Sequence, residues 1–228
     1  MAVRNPRVWL FDLDDTLHDT STNIFPQMHR LMNEYIMRRL ALDAEAASAL
    51  RYKLWTRYGA TLLGMVKHHG VNAADFLRET HAFDDLPSLI RAEAGLRAAL
   101  GRLEGRKVLL TNAPRSYAGQ VLDEIGLAKL FKRRYPIERM RIRGSWRPKP
   151  SRAMLAHVIG RERASARDCV LVEDNLPNLR SAKALRLRTV LVTGYGKRSH
   201  RFAGRPLGVD LKVRSVLDLP RALAHLRR

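Results

Sequence analysis

The sequence contains a single cysteine and no long apolar run. Cys169 cannot form a disulfide within the chain, and its place in the run CVLV predicts a buried strand residue rather than a reactive thiol. The apolar run Val8–Phe11 ends at a carboxylate and is far shorter than a signal-peptide core or a membrane span. These absences favour a reducing cytoplasm and predict no membrane association.

Acidic residues are also scarce. The chain has 22 Asp and Glu against 42 Lys and Arg, which gives a formal net charge of +20. Such a field attracts phosphorylated small molecules, nucleic acids and anionic lipids alike, so charge alone does not choose among them. Arginine also stands at helix positions where lysine or glutamine would serve, which indicates a general preference for arginine. We therefore do not expect specific nucleic-acid binding.

The order of predicted elements indicates an α/β fold with a helical insert. Val8–Phe11 reads as a buried strand, and after Gly105 strands and helices alternate, which predicts parallel pairing by right-handed crossovers. The strands predicted there are Lys107–Leu110, a short one near Tyr135 to Ile137 within a basic link, Cys169–Val172, Thr189–Val192 and Leu211–Val213. Between these parts the apolar residues recur at helical spacing. We therefore predict a doubly wound, Rossmann-like parallel sheet core at 1–18 and 104–228, with an α-helical insert at 19–103. Helix caps and helix ends within the insert are predicted at Asp43, Asn72, Gly59 and Gly70.

Polar side chains follow the predicted strands where each strand ends, and ligands bind at that edge in sheets of this kind. Carboxylates gathered there would repel, because two like charges about 4 Å apart cost roughly 4 kcal/mol at an effective dielectric constant near 20. We therefore expect a cation among them, and oxygen ligands without nearby histidine or cysteine favour a hard cation such as Mg2+. The residues concerned are Asp12, Asp14, Asp15, Thr16, Thr111, Asn112, Lys149, Glu173 and Asp174.

Four segments, FDLDDTL, LLTNA, RPKP and VLVEDNLPN, resemble the four signature motifs of the haloacid dehalogenase-like hydrolases in order and position. The resemblance implies a phosphatase in which Asp12 is the nucleophile and forms an aspartyl phosphate. Asp14 would be the general acid and base, and its presence separates phosphatases from the dehalogenase branch. Thr111 would bind a phosphoryl oxygen of the substrate, helped by the backbone amide of Asn112. Lys149 would bind the substrate too and neutralise charge on the nucleophile.

The same resemblance implies how magnesium is held. Its ligands would be the Asp12 carboxylate, the backbone carbonyl of Asp14 and the Asp174 carboxylate. Taken singly, each motif is also compatible with an ordinary turn or helix cap. The residues expected to support the ligands from behind are Thr16, Glu173 and Asn178, the last at a position where many relatives have aspartate.

The helical insert resembles the cap domain of one branch of the superfamily, which closes over the site and excludes water. Its segment YGATLLGMVKHHGVNAADFLRETH, followed by FDDLP, resembles the pyrimidine 5'-nucleotidases, which implies hydrolysis of UMP and CMP. A sugar-phosphate phosphatase, a phosphoglycolate phosphatase or a phosphomutase remains an alternative, as does a nucleic-acid-binding protein on a disused phosphatase core. The expected partner is a phosphorylated small molecule, a nucleoside monophosphate, and the chain is expected to be a monomer or homodimer.

Overall fold

The computed structural model of the chain describes residues 8–195 and 204–226. Packing divides the chain into two compact units, one of Met1–Ser21 with Ile90–Arg228 and the other of Thr22–Leu89. Within the described ranges, no helix combines the length and apolar character needed to cross a membrane.

Eight strands lie in the larger unit as described. Six of these strands form one parallel sheet, and the other two form a short antiparallel hairpin. The strands are β1 (Val8–Phe11), β2 (Arg106–Leu110), β3 (Arg133–Tyr135), β4 (Arg141–Ile142), β5 (Ser145–Trp146), β6 (Cys169–Glu173), β7 (Arg188–Val192) and β8 (Leu211–Val213). The sheet order is β3-β2-β1-β6-β7-β8, and the hairpin is β4-β5.

The sheet order confirms the predicted doubly wound α/β fold. From β1 the chain first adds strands on one side and then returns to the other side at β6, so the order reverses between β1 and β6. Phe11 of β1 is in register with Val172 of β6, which brings the carboxyl ends of both strands to the same point. Open α/β sheets bind their ligands at such a switch point.

The smaller unit is helical. Asp43 and Asn72 cap their helices as predicted, and Gly59 and Gly70 end theirs in the left-handed region at φ 76° and 62°. That this unit acts as a cap domain stays a prediction. Its helices are α1 (Ile24–Leu40), α2 (Ala44–Tyr58), α3 (Thr61–His69), α4 (Ala73–Thr80) and α5 (Leu86–Leu89).

Helices cover both faces of the larger unit's sheet. Leu10 of β1 belongs to the apolar core that Leu155 and Leu179 complete from two of these helices, while Phe11 points to the other face and packs edge-on against Phe131, with ring centroids 5.7 Å apart. The helices are α6 (Leu96–Gly101), α7 (Arg115–Glu124), α8 (Arg152–Arg161), α9 (Leu176–Ala184) and α10 (Leu219–Leu226).

The structure differs from the sequence interpretation in two respects. Residues 19–21 and 90–103, taken with the insert, group with the sheet. The later segment does so because α6 packs against α10 and the 3-10 turn Val216–Asp218. The short strand predicted at Tyr135 to Ile137 ends at Tyr135. Pro136 follows, which has no N–H to donate to a neighbouring strand, and a 3-10 turn begins at Ile137.

Candidate active site

The carboxyl end of β1 places Asp12 at the edge of the sheet. Its backbone N–H donates to the carbonyl of Val172 in β6 at 3.0 Å, so the ladder between β1 and β6 extends to this residue. The Asp12 side chain is 10% exposed. The nucleophile implied by the sequence therefore stands on rigid backbone at the switch point of the sheet.

Lys149 lies between two carboxylates of this edge. Its Nζ is 2.6 Å from Asp12 Oδ1 and 2.7 Å from Glu173 Oε2, and the side chain is 3% exposed. A buried ammonium with two carboxylate partners is held far more firmly than an exposed one, since neither partner is replaced by water. The structure thus brings the predicted lysine directly onto the predicted nucleophile.

Asn112 fixes the segment that carries Lys149. Its Nδ2 donates to the carbonyl of Lys149 at 3.1 Å, and its Oδ1 accepts from the N–H of Lys149 at 3.0 Å. This reciprocal pair ties the end of β2 to the loop before α8, where the Ser151 hydroxyl accepts from the N–H of Met154. That the backbone amide of Asn112 contacts substrate stays a prediction, while its side chain positions Lys149.

Glu173 and Asp174 complete the acidic cluster. One carboxylate oxygen from each of Asp12, Glu173 and Asp174 lies within 4.8 Å of the others. Asn178, expected to support the metal ligands, donates from Nδ2 to Glu173 Oε2 at 2.9 Å. Asn175 adds a backbone N–H to Glu173 Oε1 at 3.2 Å.

The pKa values of this cluster reflect crowding of negative charge. Burial, reinforced by repulsion from Glu173, raises the pKa of Asp12 well above its ordinary value. Burial and the same neighbour raise the pKa of Asp174. Burial also disfavours the charged form of Glu173, but the Lys149 ammonium and the hydrogen bonds from Asp174, Asp12 and Lys149 together outweigh it and lower the pKa of Glu173. One lysine therefore does not compensate all three carboxylates.

The side chain of Asp14 faces a different set of groups. Tyr117 donates from its hydroxyl to Asp14 Oδ1 at 2.8 Å, Thr20 donates at 3.1 Å, and His18 Nε2 lies 3.2 Å away. Burial raises the pKa of Asp14, but these contacts, led by the one with His18, lower it below its ordinary value overall. Burial beside Asp14 raises the pKa of Tyr117 well above its usual value. The phenol therefore keeps its proton and donates a hydrogen bond to Asp14.

The loop after Asp14 turns sharply to bring Thr20 back to it. Asp15 adopts the left-handed conformation at φ 55°, which aspartate tolerates better than most residues. Its Oδ1 accepts from the N–H groups of Thr20 and Ser21, each at 2.9 Å. Thr16, expected behind the metal ligands, is buried, and its hydroxyl oxygen has no hydrogen-bond partner among the described residues.

Thr111 stands at the end of β2 with its backbone fixed. Its N–H donates to the carbonyl of Tyr135 at 3.1 Å, and its hydroxyl oxygen accepts from the N–H of Ala113 at 3.0 Å. An oxygen that accepts from the backbone keeps its own O–H available as a donor. This geometry suits the predicted contact with a phosphoryl oxygen.

The sequence reasoning did not identify His18, Thr20 or Tyr117. His18 and Thr20 lie within a few residues of the first motif, so proximity was a weak signal for them. Tyr117 comes from α7, and only the orientation of that helix brings it to Asp14. No residue spacing in the sequence reports that contact.

Comparisons with known proteins agree with this architecture. The family model described as haloacid dehalogenase-like hydrolase matches residues 6–186. The chain belongs to the haloacid dehalogenase-like hydrolases. The chain is 26% identical to phosphate metabolism protein 8 of Saccharomyces cerevisiae. The match covers 55% of this chain and 41% of that protein, so the chain spans less than half of that relative.

One further relative and one solved structure align with this hydrolase over most of their length. Phosphoglycolate phosphatase 1 of Pseudomonas aeruginosa is 26% identical over 96% of this chain and 80% of that protein. CbbY from Rhodobacter sphaeroides, whose crystal structure was solved in complex with phosphate, is 20% identical with a TM-score of 0.66, covering 94% of this chain and 96% of that chain. At this identity the structural likeness shows the shared fold.

Proposed function

We propose that the chain is a magnesium-dependent phosphatase that forms a covalent intermediate on Asp12 and acts on pyrimidine nucleoside monophosphates. The observation that carries the proposal is the Lys149 ammonium, buried between Asp12 and Glu173 at 2.6 and 2.7 Å. An ammonium fixed on the attacking carboxylate can also offset the charge of an incoming phosphoryl group, without reorganising during the reaction.

The chemistry needs a nucleophile and a separate proton carrier. Asp12 attacks phosphorus and displaces the leaving oxygen, giving an aspartyl phosphate. Asp14 gives a proton to the leaving oxygen and later takes one from the water that hydrolyses the intermediate. The two carboxyls have different surroundings, since Asp12 contacts Lys149 and Asp14 contacts Tyr117.

The acidic cluster suits a magnesium ion. Its donors are all oxygens, the three carboxylates converge within 4.8 Å, and among the described residues no Lys or Arg forms an ion pair with Asp174. Asp12 and Asp174 would hold the ion together with the backbone carbonyl of Asp14, while Glu173 is engaged by Lys149 and Asn178. When bound, the ion would neutralise these carboxylates and polarise a phosphoryl oxygen.

Substrate choice is the finer part of the proposal and rests on the resemblance of the segment 58–87 to pyrimidine 5'-nucleotidases. A second candidate, a phosphoglycolate phosphatase, is favoured by the relative in Pseudomonas aeruginosa, which aligns over 96% of this chain. Both candidates share the same catalytic chemistry and differ only in the alcohol that leaves.

A panel of phosphate monoesters separates these candidates. We expect phosphate release from UMP and CMP to be faster than from AMP, GMP, glucose 6-phosphate or 2-phosphoglycolate, and to stop when EDTA removes divalent ions. Preference for 2-phosphoglycolate would transfer the assignment to the second candidate. Equal rates across the panel would remove the nucleotidase assignment and leave a general phosphatase.

The nucleophile is tested by Asp12→Asn. We expect this variant to lose turnover of every ester while its circular dichroism spectrum stays that of the native chain. The matched control is Asp123→Asn, which makes the same change at an exposed position of α7. Turnover by Asp12→Asn at the native rate would overturn the assigned nucleophile.

A further inference from the structure

Among the described residues, the hydrogen bonds to the Asp14 side chain all reach one of its two oxygens. Tyr117, Thr20 and His18 all reach Oδ1, at 2.8, 3.1 and 3.2 Å. These three residues are at most 1% exposed, whereas the Asp14 side chain is 17% exposed. The groups around Oδ1 are therefore buried, and no hydrogen bond from the described residues reaches Oδ2.

The hydrogen positions in this cluster follow from the acceptors available. An ionised carboxylate only accepts, so the hydroxyls of Tyr117 and Thr20 donate to Asp14 Oδ1. The Thr20 oxygen in turn accepts from the N–H of Asp15 at 3.3 Å. His18 Nε2 can contact the same Oδ1 favourably only as a donor, so it carries the hydrogen. Among the described residues, His18 Nδ1 has no hydrogen-bond partner.

Three donors on one oxygen leave no room for a proton there. An added proton on Oδ1 would face the hydrogens of two hydroxyls and an imidazole, all of which would have to turn away or lose their acceptor. Loss of a buried hydrogen bond to a charged group is costly, so the proton goes to the other oxygen. Oδ2 is thus the atom at which Asp14 exchanges protons.

We propose that Tyr117, with Thr20 and His18, positions Asp14 by holding Oδ1, so that Oδ2 is the oxygen that exchanges protons with the leaving group and with water. This inference rests on the proposed phosphatase function. In the first step the proton on Oδ2 passes to the leaving oxygen as the Asp12–phosphorus bond forms and the ester bond breaks. In the second step water bonds to phosphorus, its proton passes to Oδ2, and the Asp12–phosphorus bond breaks to release phosphate.

The test uses an ester whose leaving group needs no proton. With p-nitrophenyl phosphate the first step releases a stable phenolate, so only hydrolysis of the intermediate depends on Asp14. With enzyme in excess over substrate, nitrophenolate release reports the first step and phosphate release reports the second. In Tyr117→Phe we expect nitrophenolate release to stay within about twofold of native and phosphate release to slow by about tenfold to a hundredfold.

Matched variants separate positioning from damage to the fold. Tyr135→Phe also removes a buried tyrosine hydroxyl, one that donates to Glu162 at 2.7 Å, and should change neither step. Thr20→Val should slow phosphate release selectively, as Tyr117→Phe does, and Thr20→Ser, which keeps the hydroxyl, should restore it.

Two results would overturn the inference while leaving the phosphatase intact. Equal slowing of both steps in Tyr117→Phe would show general damage to the site, and unchanged phosphate release would show that the hydroxyl positions nothing. A native chain that releases neither product in the presence of magnesium would overturn the proposed function, and the inference with it.

Discussion

Removal of the buried ammonium gives the sharpest test of the site's electrostatics. Lys149→Met keeps the length of the side chain but leaves Asp12 and Glu173 without the cation that lies 2.6 and 2.7 Å from them. Both side chains are buried, at 10% and 0% exposure. Removing one partner of a buried ion pair costs about 3–5 kcal/mol, so we expect the free energy of unfolding to fall by that amount. Since small domains have about 5–15 kcal/mol in total, the variant should fold but only marginally.

The loss of unfolding free energy in Lys149→Met should change with pH, in a direction that follows from the pKa of Glu173. Lys149 lowers the pKa of Glu173 in the folded chain. A carboxyl whose pKa is lower in the folded than in the unfolded chain stabilises the fold at pH values above its unfolded pKa. That stabilisation disappears as the pH falls through the folded pKa. In Lys149→Met that contribution is gone, and the carboxyls of the cluster acquire higher pKa values. The difference between native chain and variant should therefore be largest near neutral pH and shrink as the pH falls towards about 4.

Urea unfolding in EDTA at about pH 7.5 and about pH 5 measures this difference. The control is Lys183→Met, which removes the lysine of a more exposed ion pair with Asp210 and should cost at most about 1 kcal/mol. A loss under about 1 kcal/mol at both pH values in Lys149→Met would refute the reasoning, since no buried ion pair would then be stabilising the cluster.

Three other predictions concern packing, thiol reactivity and metal binding. Gly64→Ala should destabilise the chain by about 1–3 kcal/mol, because the new Cβ would lie 2.4 Å from Leu54 Cδ2. Gly160→Ala has open space around the new Cβ and should stabilise α8 by about 0.5–1 kcal/mol. Urea unfolding of the two variants compares these effects. Burial raises the pKa of Cys169 to about 11, so a thiol reagent at about pH 8 should react slowly with the native chain and rapidly in urea. Magnesium at about a hundredfold its Kd should add about 2.7 kcal/mol to the native chain and less to Asp174→Asn, as thermal unfolding would measure.

The sheet was predictable because its strands are short apolar runs that can be recognised in the sequence. β8 has the predicted bounds, Leu211–Val213, and β6 extends the predicted run by one residue, Glu173. Central parallel strands are buried on both faces and read as continuous apolar runs between polar residues. The hairpin of β4 and β5 lacked that signal, since each strand is two residues long and partly exposed, so the basic link gave no reason to expect it.

The contacts around Asp12 and those around Asp14 differ in how far the sequence predicts them. Asp12 and Glu173 stand at the ends of neighbouring parallel strands, so predicting the sheet already predicts that they lie close together. The contact between Tyr117 and Asp14 has no such rule behind it, because a helix following a strand can present any of several residues to the sheet edge. Its rotation is set by the packing of Val121 and Leu122 in the core, residues several positions further along α7. Residues that act directly at the reacting atoms are thus predictable from topology, whereas those that orient them depend on side-chain packing that emerges only in the folded structure.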